Sequence, residues 1–410
     1  MNILHTSDWH LGHSLFGRRR HEEFRRFLDW LLETVHRERV DVLVMAGDVF
    51  DSALPGNPAQ AAYYGFLRRL MTGGVCRHVV IVAGNHDSPA FLDAPAALLS
   101  AMDIHVTGRA REPEEETLLL RGPDGSPELI VSAVPFLRDR DLYRACDGDD
   151  PEERDRRMAE GMKEHYARAA EQVRRLREEH GDLPALATGH LFAAGGLTAP
   201  DDGVRDLRVG SLGQVPADVF PDDFDYVALG HLHLPQKVNG REHIRYSGSP
   251  LPMGFNETGR RKEVCLLSLE GRRVSYRRVD VPVFQRLEKV EGDLPALERR
   301  LEELSRCGES VWAEVMYTGT EPVPDLRERV EAYATGGLEL LRIRNARSLE
   351  GGLDADPEDA DLEDLGVEDV FERRLREAFP DRDVDDPELE ELRAAFREAA
   401  AAAGRAGEED

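Results

Sequence analysis

The sequence predicts an α/β protein of four layers, α/β/β/α, followed by a small second α/β domain and a helical tail. Three observations carry this prediction. Short apolar runs alternate with stretches of helical period, the rhythm of successive βαβ units. The runs are continuously apolar rather than alternating, as in strands buried on both faces. Later in the chain, residues 244–247, 264–269 and 273–281 follow one another without helices and read as antiparallel strands of a second sheet.

The elements follow in order. Residues 3–4 belong to the first strand. Phe24, Phe27, Leu28, Leu31, Leu32 and Val35 keep the 3.6-residue period and make one apolar helix face. Residues 40–46 form the next strand and complete a right-handed crossover. Asn57 can cap a helix running to about Met71, with Pro58 in its first turn. Residues 79–83 are the third strand, and Ser88-Pro89 opens one helix with Phe91, Leu92, Ala96, Leu98 and Leu99 as apolar positions. Residues 118–120 and 129–134 make a hairpin across Asp124-Gly125. Residues 151–180 read as a long charged surface helix with few apolar positions. Residues 195–211 are glycine-rich and irregular.

Pro282 marks a boundary. Beyond it the pattern is strand, helix, strand, helix, strand, at residues 285–290, 294–304, 310–317, 325–333 and 338–343. Residues 350–369 are acidic and poor in large apolar side chains, the composition of a linker. Two short amphipathic helices then follow. Val367, Val370, Phe371, Leu375, Ala378 and Phe379 share one face of the first, and Leu389, Leu392, Phe396 and Ala399 one face of the second. The expected domains are residues 1–281, 282–348 and 349–410. The two tail helices are too short to be stable alone, so each needs a groove, a partner helix or the body of the protein to cover it.

The chain of 410 residues carries 80 acidic and 53 basic residues, a formal net charge of −27. Phosphate binding wants a positive field, so the acid is expected either to sit away from any phosphate-binding path or to reflect a source living at high salt. Lys is restricted to Lys163, Lys237, Lys262 and Lys289, so the cations are almost all Arg. Cys76, Cys146, Cys265 and Cys307 show no paired spacing and read as free thiols of a reducing, cytoplasmic compartment. Neither a signal peptide nor a membrane span is expected.

The chemistry is concentrated where strands end. Asp8-Trp9-His10, Gly47-Asp48, Gly84-Asn85-His86-Asp87, Gly189-His190 and Gly230-His231-Leu232-His233 each follow an apolar run. The carboxyl ends of strands are where an α/β sheet binds its ligands. The set offers seven candidate metal ligands: Asp8, His10, Asp48, Asn85, His190, His231 and His233. Oxygen mixed with imidazole and no thiolate suits Mn²⁺, Fe or Zn²⁺ better than Ca²⁺. Seven donors exceed the needs of one ion. They suit two ions sharing a carboxylate, the arrangement that clamps the attacking and leaving oxygens in phosphate-ester hydrolysis. Arg18-Arg19-Arg20, just after the first motif, reads either as a DNA-backbone contact or as a solvated helix start.

Together these motifs resemble the calcineurin-like metallophosphoesterase superfamily and, within it, the Mre11/SbcD DNA-repair nucleases. Asp8-Trp9-His10-Leu11-Gly12, Gly47-Asp48-Val49-Phe50-Asp51, Gly84-Asn85-His86-Asp87, Gly230-His231-Leu232-His233 and Tyr246-Ser247-Gly248-Ser249-Pro250 are similar to the bacterial SbcD form. The resemblance extends to about Ser348. It implies a metallophosphoesterase sandwich with a capping domain, and two divalent ions, Mn²⁺ being the ion expected. One ion would take Asp8, His10 and His233, the other Asn85, His190 and His231, with Asp48 bridging. His86 would bind phosphate or act as general acid. Asp87 would either fix its tautomer or cap the following helix.

The implied activity is 3′–5′ double-strand DNA exonuclease and single-strand or hairpin endonuclease cleavage, in repair, replication and recombination. The implied partners are DNA, a second copy of the chain through the helices after the second and third motifs, and an SbcC/Rad50-type ABC ATPase whose coiled-coil base binds the tail. The assembly would be a homodimer within a heterotetramer. The alternative is a phosphatase or cyclic nucleotide phosphodiesterase. Protein phosphatases of the superfamily carry an Arg soon after the second motif, where this chain has Asp51-Ser52-Ala53-Leu54.

Overall fold

A computed structural model describes residues 1–142, 151–193 and 215–346, together with Phe371, Leu392 and Phe396. Two six-stranded sheets form its centre. In the first, the strand order is Arg273–Asp280, Glu263–Glu270, Asn2–Thr6, Val42–Ala46, His78–Val82 and Ile104–Thr107. The last four strands are parallel, and Glu263–Glu270 joins Asn2–Thr6 antiparallel, with His5 opposite Cys265. In the second, the order is Gln236–Val238, Arg241–Tyr246, Tyr226–Gly230, Ala185–His190, Pro127–Ser132 and Thr117–Arg121.

The layers follow from where each apolar set goes. Ile3, Val42, Val44, Val80 and Val82 of the first sheet meet Leu120, Leu129, Val131, Leu186 and Ala228 of the second in a fully enclosed core. The other face of the first sheet is covered by helices His21–Glu38 and Asn57–Thr72, through Phe24, Phe27, Leu31, Phe66 and Leu70. Helix Pro151–His180 covers the second sheet through Met158, Met162, Tyr166, Ala169, Ala170 and Val173. The result is the α/β/β/α sandwich.

Four local expectations are corrected. The strands at 264–269 and 273–281 do not belong to the second sheet. They extend the first, because Asn2–Thr6 would otherwise present an open edge, and only Arg241–Tyr246 joins the second. The single helix after Ser88 is two, Pro89–Asp93 and Ala96–Ser100, separated at Pro95, which lacks the N–H a continuous helix needs. Gly56, not Asn57, is the N-cap of the second long helix. The long charged helix has a continuous buried stripe, since Met, Ala and Tyr supply it in place of the usual Leu and Val.

Beyond the boundary proline, strands Arg286–Gly292, Val311–Tyr317 and Leu338–Asn345 form a parallel three-stranded sheet with helices Leu294–Ser305 and Leu326–Glu331. Val290, Leu297, Leu301, Val315 and Val330 form its core. Asp293 caps the first helix by accepting from the Ala296 N–H at 3.0 Å. A seam of Leu15, Phe255, Leu287 and Trp312 joins this unit to the loop after the first motif. The glycine-rich 195–211 segment and the acidic linker lie outside the described residues, as do the tail helices apart from three positions. Among those three, the Phe371 and Phe396 rings stack with centroids 3.9 Å apart. No described helix is long and apolar enough to cross a membrane.

Candidate metal centre

The strand-end motifs from both sheets meet on one rim. The backbone knits them together first. The Asp8 N–H donates to the Gly47 carbonyl at 3.0 Å and the His10 N–H to the Asp48 carbonyl at 3.1 Å. The His231 N–H donates to Asp8 Oδ1 at 2.9 Å and the His86 N–H to Asp48 Oδ1 at 2.9 Å. The turns that allow this are strained. Asp8, His10, Asp48 and His231 have φ of 52°, 47°, 51° and 100°, the left-handed region that costs an L-residue free energy and concentrates at functional sites. The glycines before the ligands give room. A Cβ on Gly84 would stand 2.1 Å from Asp48 Oδ1, and one on Gly47 would stand 2.2 Å from His190 Nδ1.

All seven candidate ligands come together. Asp8, His10 and His233 form one group with donor atoms mutually within 4.8 Å, and Asp8, Asp48 and His190 form another. Asn85 Oδ1 lies 3.0 Å from His190 Nε2 and 3.1 Å from His231 Nδ1. Asp48 Oδ2 lies 3.2 Å from His190 Nε2 and 3.6 Å from His10 Nε2, between the two groups. Six of the seven are almost wholly buried and Asn85 is half-buried; His10 Nε2, which faces Asp48 across 3.6 Å, has no hydrogen-bond partner. Buried lone pairs converging with two carboxylates are an expensive arrangement that a divalent cation relieves. The donor set, imidazole and oxygen without thiolate, fits first-row divalent ions.

Protein charges shape each group. Burial opposes charge on His190, but Asp48 and Asp8 outweigh it and raise the imidazole to about 9. Burial and the neighbouring His190 push His231 down to about 3. Burial also works against the Asp48 carboxylate, yet His190, His10 and His86 hold it well below the usual range.

Supporting residues beyond the seven ligands complete the site. Glu257 is fully buried, faces His233 Nδ1 at 3.6 Å and pairs with Lys262 at 2.6 Å. Lys262 also donates to the His233 carbonyl at 3.1 Å and to Ser249 at 2.8 Å. Ser7 donates to Asp8 Oδ2 at 2.5 Å and meets Ser247 at 2.8 Å. Asp51 Oδ1 lies between His10 Nδ1 at 3.3 Å and His13 Nδ1 at 3.1 Å. Ser247 and Ser249 stand in a glycine-bounded motif that flags them. Glu257 and Lys262 have no such signal, because an ion pair closed within one irregular connection has no sequence period.

Two expectations change on the geometry. Asp87 neither touches the His86 ring nor caps the helix. Its carboxylate accepts from the Val49, Phe50 and Gly84 N–H groups at 2.9–3.1 Å, fastening the second motif to the third. Burial and then Asp48 raise Asp87 to about 6. The His86 ring instead puts Nδ1 3.0 Å from the Asp51 carbonyl, and Ser88 caps the helix by accepting from Phe91. His86 also stands in a third group with His10 and Asp48 whose donors lie mutually within 4.8 Å.

The arginine triplet is divided. Arg20 is buried, forked onto Glu23 and bonded to the Pro252 carbonyl. Arg18 pairs with Glu339 at 2.9 Å and lies 5.7 Å over Trp312, facing the small domain. Arg19 is exposed. A cleft of about 1060 Å³ between residues 250–262 and 280–288 contains none of the seven ligands.

Two family models match the chain. Residues 1–235 match the calcineurin-like phosphoesterase model, and residues 283–379 match a model described as the type 5 capsule protein repressor C-terminal domain, SbcD_C. Among curated relatives, the chain is 35% identical over 379 residues to the SbcD subunit of the SbcCD nuclease from Escherichia coli K12, covering 92% of each chain. It is 39% identical over 279 residues to the protein of the same name from Rhodobacter capsulatus, covering 66% of this chain and 67% of the relative. The Bacillus subtilis protein of that name is 36% identical over 270 residues, covering 65% and 66%.

Proposed function

The chain belongs to the calcineurin-like phosphoesterase family, in the branch whose curated members are named as the SbcD subunit of the SbcCD nuclease, and from that premise we propose that it is a Mn²⁺-dependent DNA nuclease. Its class of reaction is phosphodiester hydrolysis. The proposed activities are 3′–5′ exonuclease cleavage of duplex ends and endonuclease cleavage of single strands and hairpins. The observation that carries the reading is the convergence of seven donors, six of them buried, with Asp48 between the two groups.

Asp8, His10, His233 and Asp48 would hold one divalent ion, and Asp48, Asn85, His190 and His231 the other. When bound there, the ions supply positive charge that acidifies water and stabilises the charge developing on phosphate. The chain's own groups do the rest. The Asp51 carbonyl only accepts, so His86 Nδ1 carries a proton and Nε2 is left for the substrate. His86 in its cationic form can therefore hand a proton from Nε2 to the leaving oxygen. The Ala46 carbonyl accepts from His190 Nδ1 at 3.0 Å and so fixes Nε2 as the donor atom toward the site. Glu257 and Lys262 hold His233 from behind. Of the arginine triplet, Arg19 is the one proposed to reach DNA backbone; Arg18 and Arg20 are engaged by Glu339 and Glu23.

We propose that residues 1–281 are the nuclease body, 282–348 the capping domain and 349–410 the attachment for a coiled-coil ATPase of SbcC type, in the cytoplasm. Exposure of Leu98 (69%) on the helix after the third motif and of Leu54 (90%) before the second long helix supports a homodimer through these segments.

The direct test is cleavage of linear duplex and hairpin DNA with Mn²⁺, beside p-nitrophenyl phosphate as a phosphatase substrate. DNA cleavage silenced by a chelator is the expected result. Hydrolysis of the small ester without DNA cleavage would overturn the nuclease reading.

Ion loading should release protons. Below about pH 9 His190 holds a proton at the position a cation needs, so binding must expel it. Apparent Mn²⁺ affinity should rise by about tenfold per pH unit between roughly pH 6.5 and 8.5, the slope of one displaced proton. Calorimetry in two buffers of different ionisation heat should count at least one proton released; proton-neutral binding would contradict it.

Truncation after Glu350 should leave ion binding and short single-strand cleavage intact while abolishing co-purification with the ATPase and ATP-dependent cleavage of duplex ends. Phe371→Asp should reproduce the loss. Undiminished ATPase binding by the truncated chain would place the attachment elsewhere.

A further inference from the structure

We propose that His78, Asp103 and His105 form a second divalent-metal site, of the zinc class, at the end of the first sheet remote from the catalytic cluster. His78 opens the strand His78–Val82, whose far end leads to Asn85 and His86. The two places are therefore separated by at least the length of that five-residue strand, roughly 15 Å.

The sheet register brings the three residues together. Strand Ile104–Thr107 runs parallel to His78–Val82 with His105 opposite Val80. His78 and Val80 share a face, since strand side chains alternate, so both imidazoles lie on the side that packs against the second sheet. Their rings stack with centroids 6.1 Å apart. Asp103 sits in the turn just before the second strand. One donor atom from each residue lies within 4.8 Å of the other two.

The tautomer makes His78 a ready ligand. Its Nε2 lies 2.8 Å from the Arg121 carbonyl in the second sheet. A carbonyl only accepts, so Nε2 carries the proton and Nδ1 keeps its lone pair. Nδ1 is buried, has no hydrogen-bond partner and lies 3.9 Å from Asp103 Oδ1. His78 as a whole is 8% exposed. His105 Nε2 is likewise buried with no partner. Burial, and then the neighbouring His78, favour the neutral, ligating form of His105.

Two buried unsatisfied nitrogens beside a carboxylate are what a cation would satisfy. Zinc bonds of about 2.0–2.2 Å span donors up to about 4 Å apart, so the 3.9 Å separation needs little movement. Two imidazoles and one carboxylate, with water in the fourth position, select a borderline ion over Ca²⁺ or Mg²⁺. Because His78 also grips Arg121, an ion here would clasp the rim where the two sheets meet. Arg77, bonded to both Asp41 and Glu128, ties the same rim.

The inference does not depend on the proposed catalysis. The test uses full-length protein dialysed against chelator, titrated with Zn²⁺, with bound ions counted per chain and thermal stability followed. Asp103→Asn and His105→Ala should each lose one Zn²⁺ per chain, or weaken it at least tenfold, with DNA cleavage by the Mn²⁺-loaded protein unchanged. In an Asp48→Ala background, one Zn²⁺ and its stabilising shift should persist and then vanish on adding His105→Ala. Identical Zn²⁺ stoichiometry, affinity and thermal shift in the parent and both variants would overturn the proposal. Unaltered ion counts in Asp48→Ala alone would instead count against the catalytic centre and leave this site standing.

Discussion

Asp48→Ala is expected to reduce DNA cleavage to background and to remove any stabilisation by added Mn²⁺. Asp48 is the carboxylate that faces both ligand groups, with Oδ2 3.2 Å from His190 Nε2 and 3.6 Å from His10 Nε2. Loss of a shared ligand therefore weakens both ions rather than one. The variant also frees the His86 N–H, now held by Asp48 Oδ1, and places Ala at φ 51°, a conformation costing about 1–2 kcal/mol. His190 loses the partner that outweighs its burial and should become neutral. Ion counting and thermal denaturation with and without Mn²⁺ check this. Asp48→Ala protein that keeps two tightly held ions would mean that Asp48 does not bridge.

His86→Ala should retain both ions and lose roughly 10²- to 10⁴-fold in cleavage rate, about 3–5 kcal/mol of transition-state stabilisation. Its ring is positioned from behind by the Asp51 carbonyl at 3.0 Å, the geometry of an oriented acid. His86 also lies within ligand distance of His10 and Asp48, so the ligand role is the real competitor. Ion content separates them, since a ligand lost reduces occupancy and an acid lost does not. A second readout is leaving-group dependence. An ester with a good leaving group needs little protonation, so the defect should shrink on such a substrate. A variant that sheds an ion, or is equally slow on both substrates, would exclude the acid role.

The sheet order and the ligand set differ in how openly the chain displays them. Strand-end ligands are legible because each follows an apolar run, with a glycine before every motif except the first, where Asp8 follows Ser7. Asp8, Asp48 and His231 adopt left-handed turns, but the sequence reveals only the residue types that tolerate them. The small domain is legible element by element, as short apolar strand segments alternating with helical ones. The second sheet is misread at 264–281 because an antiparallel hairpin carries no information about which sheet it joins. That choice is made by Asn2–Thr6, far away in the chain. Asp87 is misjudged for a related reason: its three partners are backbone N–H groups, which every sequence possesses. The Glu257–Lys262 pair and the division of Arg18 from Arg20 likewise depend on tertiary neighbours.

The closing of the first sheet also sets a timetable for synthesis. Asn2–Thr6, which delivers Asp8 and His10, obtains its antiparallel neighbour only when Glu263–Glu270 has been made, and His231 and His233 come shortly before it. Long-range pairing of this kind is slow, and a nascent chain cannot perform it early. A ribosome-bound fragment that stops short of the second sheet's central strand holds Asp8, Asp48 and Asn85 but lacks His231 and His233. The full donor set is therefore assembled only late in translation, after the greater part of the chain has emerged.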